Sequence, residues 1–259
     1  MPIKNYQKDI FKKTNLRANW ELSKNLNLGD VGYMKDGVFT MQSTLKDLGI
    51  DFSVRKGIKQ DKLDLSSEQG VNVHPKFDTA ANAELVEMNA EVIFEVEFTK
   101  AKSYVFKAAG IRTDMISNIL EVGKEVIKRY QAEDWDEDLV IIAEIKTADS
   151  VSILISNESG TKTNISATGN LSLKDLDIAK ADIGMKADSN KKLALEVLGK
   201  AGTNPLFKVM GLEQSLLSKL FHKKPKMVSR AIGETENPPE PSEEDIKALF
   251  VEKKAAIED

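Results

Sequence analysis

Between Val86 and Phe98 every even position is apolar: Val86, Met88, Ala90, Val92, Phe94, Val96 and Phe98. The odd positions carry Glu87, Asn89, Glu91, Ile93, Glu95 and Glu97, with Thr99 following. Side chains alternate faces along a strand, so the pattern predicts one long ribbon with an apolar side and an acidic side. It is longer than the usual strand of roughly 5–6 residues. A polar turn at Lys100–Lys102 leads to an expected partner strand, Tyr104–Ala109, with Tyr104 and Phe106 on its apolar side. A second pair of strands is expected at Leu139–Thr147 and Ser150–Ser156, carrying Val140, Ile142, Ile153 and Ile155.

Other stretches follow other periods. Residues 3–13 predict a short basic amphipathic helix. Asp36-Gly37 predicts a two-residue hairpin turn, because a type I′ turn needs positive φ at both positions. "IDFSV" and "GVNVHPKF" predict further strands, and a helix is expected from Asp114 to Tyr130, capped by Thr113 or Asp114. "KTNISATGNLSL", "LDIAKADIGMKA" and "KLALEVL" continue the strand pattern. From Pro205 the spacing of Leu206, Val209, Met210, Leu216, Leu217, Leu220 and Phe221 predicts a helix. The stretch from Gly233 to Pro241 is a linker by composition. A final helix capped by Ser242 places Ile246, Leu249 and Phe250 on one side.

Strand runs broken by few helices indicate an α+β fold: a twisted antiparallel sheet with long amphipathic hairpins, a central helix and peripheral helices. The expected organisation is one domain over 1–232, a Pro-rich linker over 233–241 and a helical tail over 242–259.

Composition narrows the chemistry. The 259 residues include no cysteine, which removes disulfides, thiol catalysis and thiolate zinc sites. The net charge of −4 gives no bulk attraction to nucleic acid. The N-terminus has no apolar signal core, and no run approaches the roughly 18 apolar residues of a membrane helix, so a cytoplasmic chain is expected. His74 and His222 stand far apart in unrelated contexts. "EDWDED" lacks the spacing of a calcium loop and predicts a solvated acidic loop. Glu91, Glu95 and Glu97 form a row with no second acidic strand evident opposite. No catalytic motif, metal site or cofactor site is expected.

A long alternating strand has two physical uses. It is half of a soluble sheet, or it is a strand that leaves its packing to cross a bilayer, which takes roughly 9–11 residues in a closed barrel. Lys4, Lys8, Lys12 and Lys13 of the first helix, with Arg17 just beyond it, would each add about 1 kcal/mol of attraction to anionic head groups, and Phe11 would anchor the segment. The order of basic helix, strands, long alternating strand, central helix and "DLVIIAEIKTADSVSIL" strand pair is similar to the pore-forming N-terminal domain of gasdermins. Residues Asp138–Leu154 resemble that family's acidic loop followed by a strand of L-x-V-V-x-E-V type. The resemblance covers roughly residues 3–220 and lies in topology rather than in invariant motifs.

The resemblance implies a monomer that binds acidic lipids, forms a homo-oligomer at the membrane and inserts two β-hairpins. In this chain the inserting residues would be Val86, Met88, Val92, Phe94, Val96, Phe98, Tyr104, Phe106, Val140, Ile142, Ile153 and Ile155. A short form without the family's large inhibitory domain is expected, in which control would rest on the tail, through Ile246, Leu249 and Phe250, or on a regulatory protein partner. The alternative is a non-enzymatic interaction or scaffold protein.

Overall fold

Ile3, Tyr6 and Ile10 recur at helical spacing and form the inward side of α1 (Pro2–Thr14). The computed structural model describes residues 2–19, 21–67, 69–76, 91–168, 193–199, 201–221 and 241–253. A short strand, β1 (Arg17–Ala18), follows α1. Asp36 and Gly37 have φ of 50° and 76°, as the hairpin turn requires, and join β2 (Asp30–Lys35) to β3 (Val38–Thr44). The chain continues through β4 (Val54–Ser66), β5 (Val71–Lys76), β6 (Glu91–Phe98), β7 (Tyr104–Ile116), α2 (Ile119–Gln131), β8 (Val140–Ala148) and β9 (Ser150–Ser156). It ends with β10 (Thr161–Thr168), β11 (Leu193–Gly199), β12 (Thr203–Leu212), α3 (Gln214–Phe221), α4 (Glu243–Leu249) and β13 (Phe250–Glu252). Every described strand pairing is antiparallel, and the fold is α+β.

β7 is the spine of the large sheet. One edge pairs with β4. On the other edge Tyr104 pairs with Ile155 and Ala109 with Ser150; beyond Gly110, Arg112 pairs with Thr147 and Met115 with Glu144. The register is the same on both sides of Gly110, so β8 and β9 are two halves of one long strand. They are not the hairpin expected from Leu139–Thr147 and Ser150–Ser156. β12 and β11 pair with β8 and β9 in the same order, and they meet near Gly202. Gly110 and Gly202 have φ of 62° and 88°. A Cβ at Gly110 would overlap the Asp149 carboxylate, which Lys59 of β4 grips as an ion pair. The sheet therefore carries a transverse crease through Gly110, Asp149 and Gly202, and β4 shifts register between Lys56 and Lys59 close to the same level.

β6 does not pair with β7. It is the middle of a second sheet, β10-β6-β5, in which Phe98 lies opposite Val71 on one side and Thr161 on the other. The turn after β6 carries the chain from one sheet to the other. Val96 and Phe98 pack against Val105 of β7 and Leu154 of β9, so the two sheets meet face to face. Alternation fixes which side of a strand is apolar and says nothing about its lateral partner.

Two helix boundaries also differ from expectation. Thr113 and Asp114 belong to β7, whose pairing with β4 and β8 outweighs the helical spacing beyond it, and α2 starts at Ile119. Residues after Pro205 form β12, and the helix begins only at Gln214. Leu206 lies in the core beneath α1, while Phe207 and Val209 join a separate cluster with Leu26, Phe39 and Ile142. A strand buried on both faces reads as a continuous apolar run, which helical spacing also fits. The third core cluster joins Val122, Val126 and Ile127 of α2 to Leu217, Ile246, Leu249 and Phe250. Among the described residues no helix is long and apolar enough to cross a membrane.

Candidate functional site

The cations of α1 and its flank are unequally available. Lys4 pairs with Asp36 at 3.4 Å. The Lys13 ammonium meets the Asp9 carboxylate at 2.9 Å, donates to the Ser66 carbonyl at 2.7 Å and the Tyr104 hydroxyl at 3.3 Å, and lies 5.6 Å from the Tyr104 ring centre. The Tyr104 hydroxyl in turn donates to Asp9 at 2.6 Å. Burial pushes the Asp9 carboxyl up, but hydrogen bonds from Tyr104 and Lys13 outweigh it and hold the group below its ordinary value. Arg17 donates through Nη2 to the Lys253 carbonyl at 2.6 Å; burial lowers its pKa against the raising influence of Glu252. Lys4, Lys13 and Arg17 are thus ties within the fold. Lys12 is exposed, and Lys8 and Phe11 are half-buried.

The expected inserting residues divide among separate cores. Tyr104, Phe106, Ile153 and Ile155 lie beneath α1, where the Tyr6 and Tyr104 rings meet edge to face with centroids 5.1 Å apart. Val140 and Ile142 lie in the cluster around Phe207. Val96 and Phe98 hold the small sheet onto the large one. All eight are buried. Val86 and Met88 fall outside the described residues, and Val92 and Phe94 are described only by their backbone pairing in β6. On the outward side of β6, Lys162 of β10 reaches Glu95 at 2.9 Å and Glu97 at 3.5 Å, so a cation faces the acidic row. Glu95, first through its hydrogen bond and then through its charge, raises the Lys162 pKa.

The tail is built into the fold. Ser242 caps α4 through a reciprocal box with Asp245. Ile246, Leu249 and Phe250 are buried, and α2 offers a glycine where they dock: a Cβ at Gly123 would stand 2.7 Å from Phe250 Cδ1 and 3.0 Å from Ile246 Cγ2. β13 then adds to the edge of β12, with Phe250 opposite Leu212. Phe250 is a strand residue here, because the helix stops at Leu249. The linker, 233–241, lies outside the described residues but for Pro241.

A polar cleft of about 290 Å³ lies beside the crease, lined by Asn27, Arg112, Asp114, Thr147 and Asn204 among others. Its charges neutralise each other, since Arg112 holds Asp114 through Nε at 3.0 Å and Nη2 at 3.0 Å. In the acidic loop, Asp136 accepts from the Tyr33 hydroxyl at 2.9 Å and Asp134 pairs with Arg129 at 3.3 Å. Among the described residues no three His, Asp or Glu side chains group as metal ligands would. Compared with known protein families and with curated proteins, the chain matches none. Function is therefore argued from these surfaces and their packing.

Proposed function

We propose that this chain is a membrane-permeabilising protein: a monomer that binds acidic lipid, oligomerises there and inserts amphipathic β-hairpins. The observation that carries the reading is how the opening ribbon is stored. The apolar side of β6 is buried through Val96 and Phe98 against Val105 and Leu154, with Val71 and Leu193 packed beside them, on a sheet separate from the main one. β6 and β10 already pair in register from Phe98–Thr161 to Glu91–Thr168, close to the roughly 9–11 residues per strand that a bilayer requires. Releasing this sheet would free two paired strands, β6 and β10, that lie apart in the chain and are each joined to the large sheet by a short turn. The resemblance to gasdermin pore-forming domains supports the same reading.

The experiment is dye release from vesicles of phosphatidylcholine with and without phosphatidylserine, using the full chain and a chain ending before Ser242. Leakage and membrane-bound oligomers with the acidic lipid support the proposal. Absence of both in every arm, together with a stable soluble complex with a protein partner, would favour the scaffold reading.

A further inference from the structure

We propose that the edge strand β4, through Arg55, Lys56 and Ile58, is the surface that first meets an anionic phospholipid bilayer. The inference rests on the permeabilising reading and gives it a docking site. β4 pairs only with β7, so its outer edge has no partner strand among the described residues. Residues Val54–Lys59 carry three cations and no carboxylate within a chain of net charge −4. Lys59 is engaged by Asp149. Arg55 and Lys56 are exposed and have no carboxylate partner among the described residues. Two of the four exposed large hydrophobic side chains among the described residues belong to the same stretch: Ile58 at 89% and Val54 at 45%.

The backbone explains why Ile58 projects. Lys56 pairs with Asp114 and Lys59 with Arg112, so Gly57 and Ile58 together stand opposite Thr113 as a bulge. The Gly57 N–H donates to the Asp114 carboxylate at 3.2 Å, and a Cβ there would collide with the Thr113 backbone. The bulge is thus held by β7, and the next residue is thrown outward. Lysines and a bulge are also the means by which an open edge avoids pairing with another chain. That role accounts for Lys56 and the bulge and leaves two exposed aliphatic side chains unexplained. The bulge also breaks the register that an added strand needs, which disfavours a peptide or a second copy as the occupant. A lipid surface needs no register: cations take its phosphates, and an aliphatic side chain enters its interface.

The test is flotation of the full chain with phosphatidylcholine vesicles, with and without phosphatidylserine. The variants are Arg55→Gln with Lys56→Gln, Ile58→Ser, and Lys8→Gln with Lys12→Gln on α1; circular dichroism checks that each folds. Loss of two cations is expected to lower affinity for the anionic vesicles about thirtyfold. Ile58→Ser should lower it further, and the α1 pair should change it less. If the β4 variants bind like wild type while the α1 pair loses binding, the β4 site is refuted and the permeabilising reading survives. If the wild-type chain ignores anionic vesicles, the β4 site is refuted, and the permeabilising reading falls only if the chain ending before Ser242 also fails to leak them. If Ile58→Ser instead abolishes self-association in the absence of lipid, the edge is a protein interface and the proposal is overturned.

Discussion

Gly123 offers a way to unlatch the tail without touching it. A glycine inside a helix costs about 1 kcal/mol relative to alanine, so its presence in α2 needs a reason. The structure supplies one: the Phe250 ring and the Ile246 methyl occupy the space a side chain would take, 2.7 and 3.0 Å from a built Cβ. Gly123→Leu places four carbons in that notch. Burial of Ile246, Leu249 and Phe250 contributes about 1.5–3 kcal/mol per side chain, or roughly 5–9 kcal/mol for the three. This is the same order as the roughly 5–15 kcal/mol by which a domain is stable, so the tail is a major fastening. The leucine favours the helix itself, so α2 is expected to persist while α4 lifts. Hydrogen exchange reads this directly. The Glu213 amide donates to the Leu249 carbonyl at 2.7 Å and the Lys253 amide to the Val209 carbonyl at 3.2 Å. Both should lose protection in the variant, while amides between β7 and β9 keep theirs. Under the permeabilising proposal the variant also leaks anionic vesicles faster than wild type. A variant in which both amides stay protected and the denaturation midpoint is unmoved would refute the notch as the tail's seat.

Phe98→Ala should weaken the small sheet by about 3–5 kcal/mol, seen as faster exchange along the β6–β10 ladder with little change beneath α1. Gly110→Ala forces a residue with a side chain to φ 62° and displaces Asp149 from Lys59, so it should cost more than the about 1–2 kcal/mol of the backbone alone. Gly202→Ala, where a Cβ meets nothing within 4 Å, should cost only the backbone share; equal urea midpoints for the two would count against the crease. Asp9 is held below its ordinary value of 3.8 in the folded chain, so its ties to Tyr104 and Lys13 contribute stability above that pH and lose it as pH falls through the lowered value. Asp9→Asn should flatten the acid limb of stability against pH; an unchanged limb would remove this contact from the account.

The sequence disclosed what a strand or helix does to itself and missed what its neighbours do. Alternation in β6 and the Asp36-Gly37 turn were legible because each is written in consecutive residues. The partner of β6 was not, since nothing in its own residues distinguishes pairing with β7 from stacking on it. β8 and β9 were read as a hairpin because Ala148-Asp149 interrupts the apolar run; the same interruption, opposite a positive-φ glycine, is a crease within one strand. The cations of α1 were visible, but their partners lie far along the chain: Asp36, Ser66 and the Lys253 carbonyl. β4 is not legible in the sequence beyond Val54, because its lysines and glycine interrupt the strand pattern, and the exposed Ile58 lies in that stretch.

The two ends of the described chain share one strand edge, and this ties the tail to the first helix. β1 lies along Leu206–Phe207 of β12, and β13 lies along Met210–Leu212 of the same strand. Between them Arg17 donates to the Lys253 carbonyl, and Asn15 donates to Glu252 Oε2 at 3.3 Å, the oxygen that Lys208 also meets at 3.3 Å. The Arg17 Nε is buried with no partner among the described residues, so the guanidinium depends on the few contacts it has. Withdrawing β13 removes its carbonyl acceptor and the nearby Glu252 charge together, and a buried charge left without partners is strongly destabilising. The cost falls on β1 and, through the short connection at Asn15-Leu16, on the seating of α1. Because such coupling is reciprocal, whatever loosens α1 also loosens the tail. Release of the tail is then expected to act on the face of the sheet beneath α1, where Tyr104, Phe106, Ile153 and Ile155 are stored, as well as on the notch it leaves in α2.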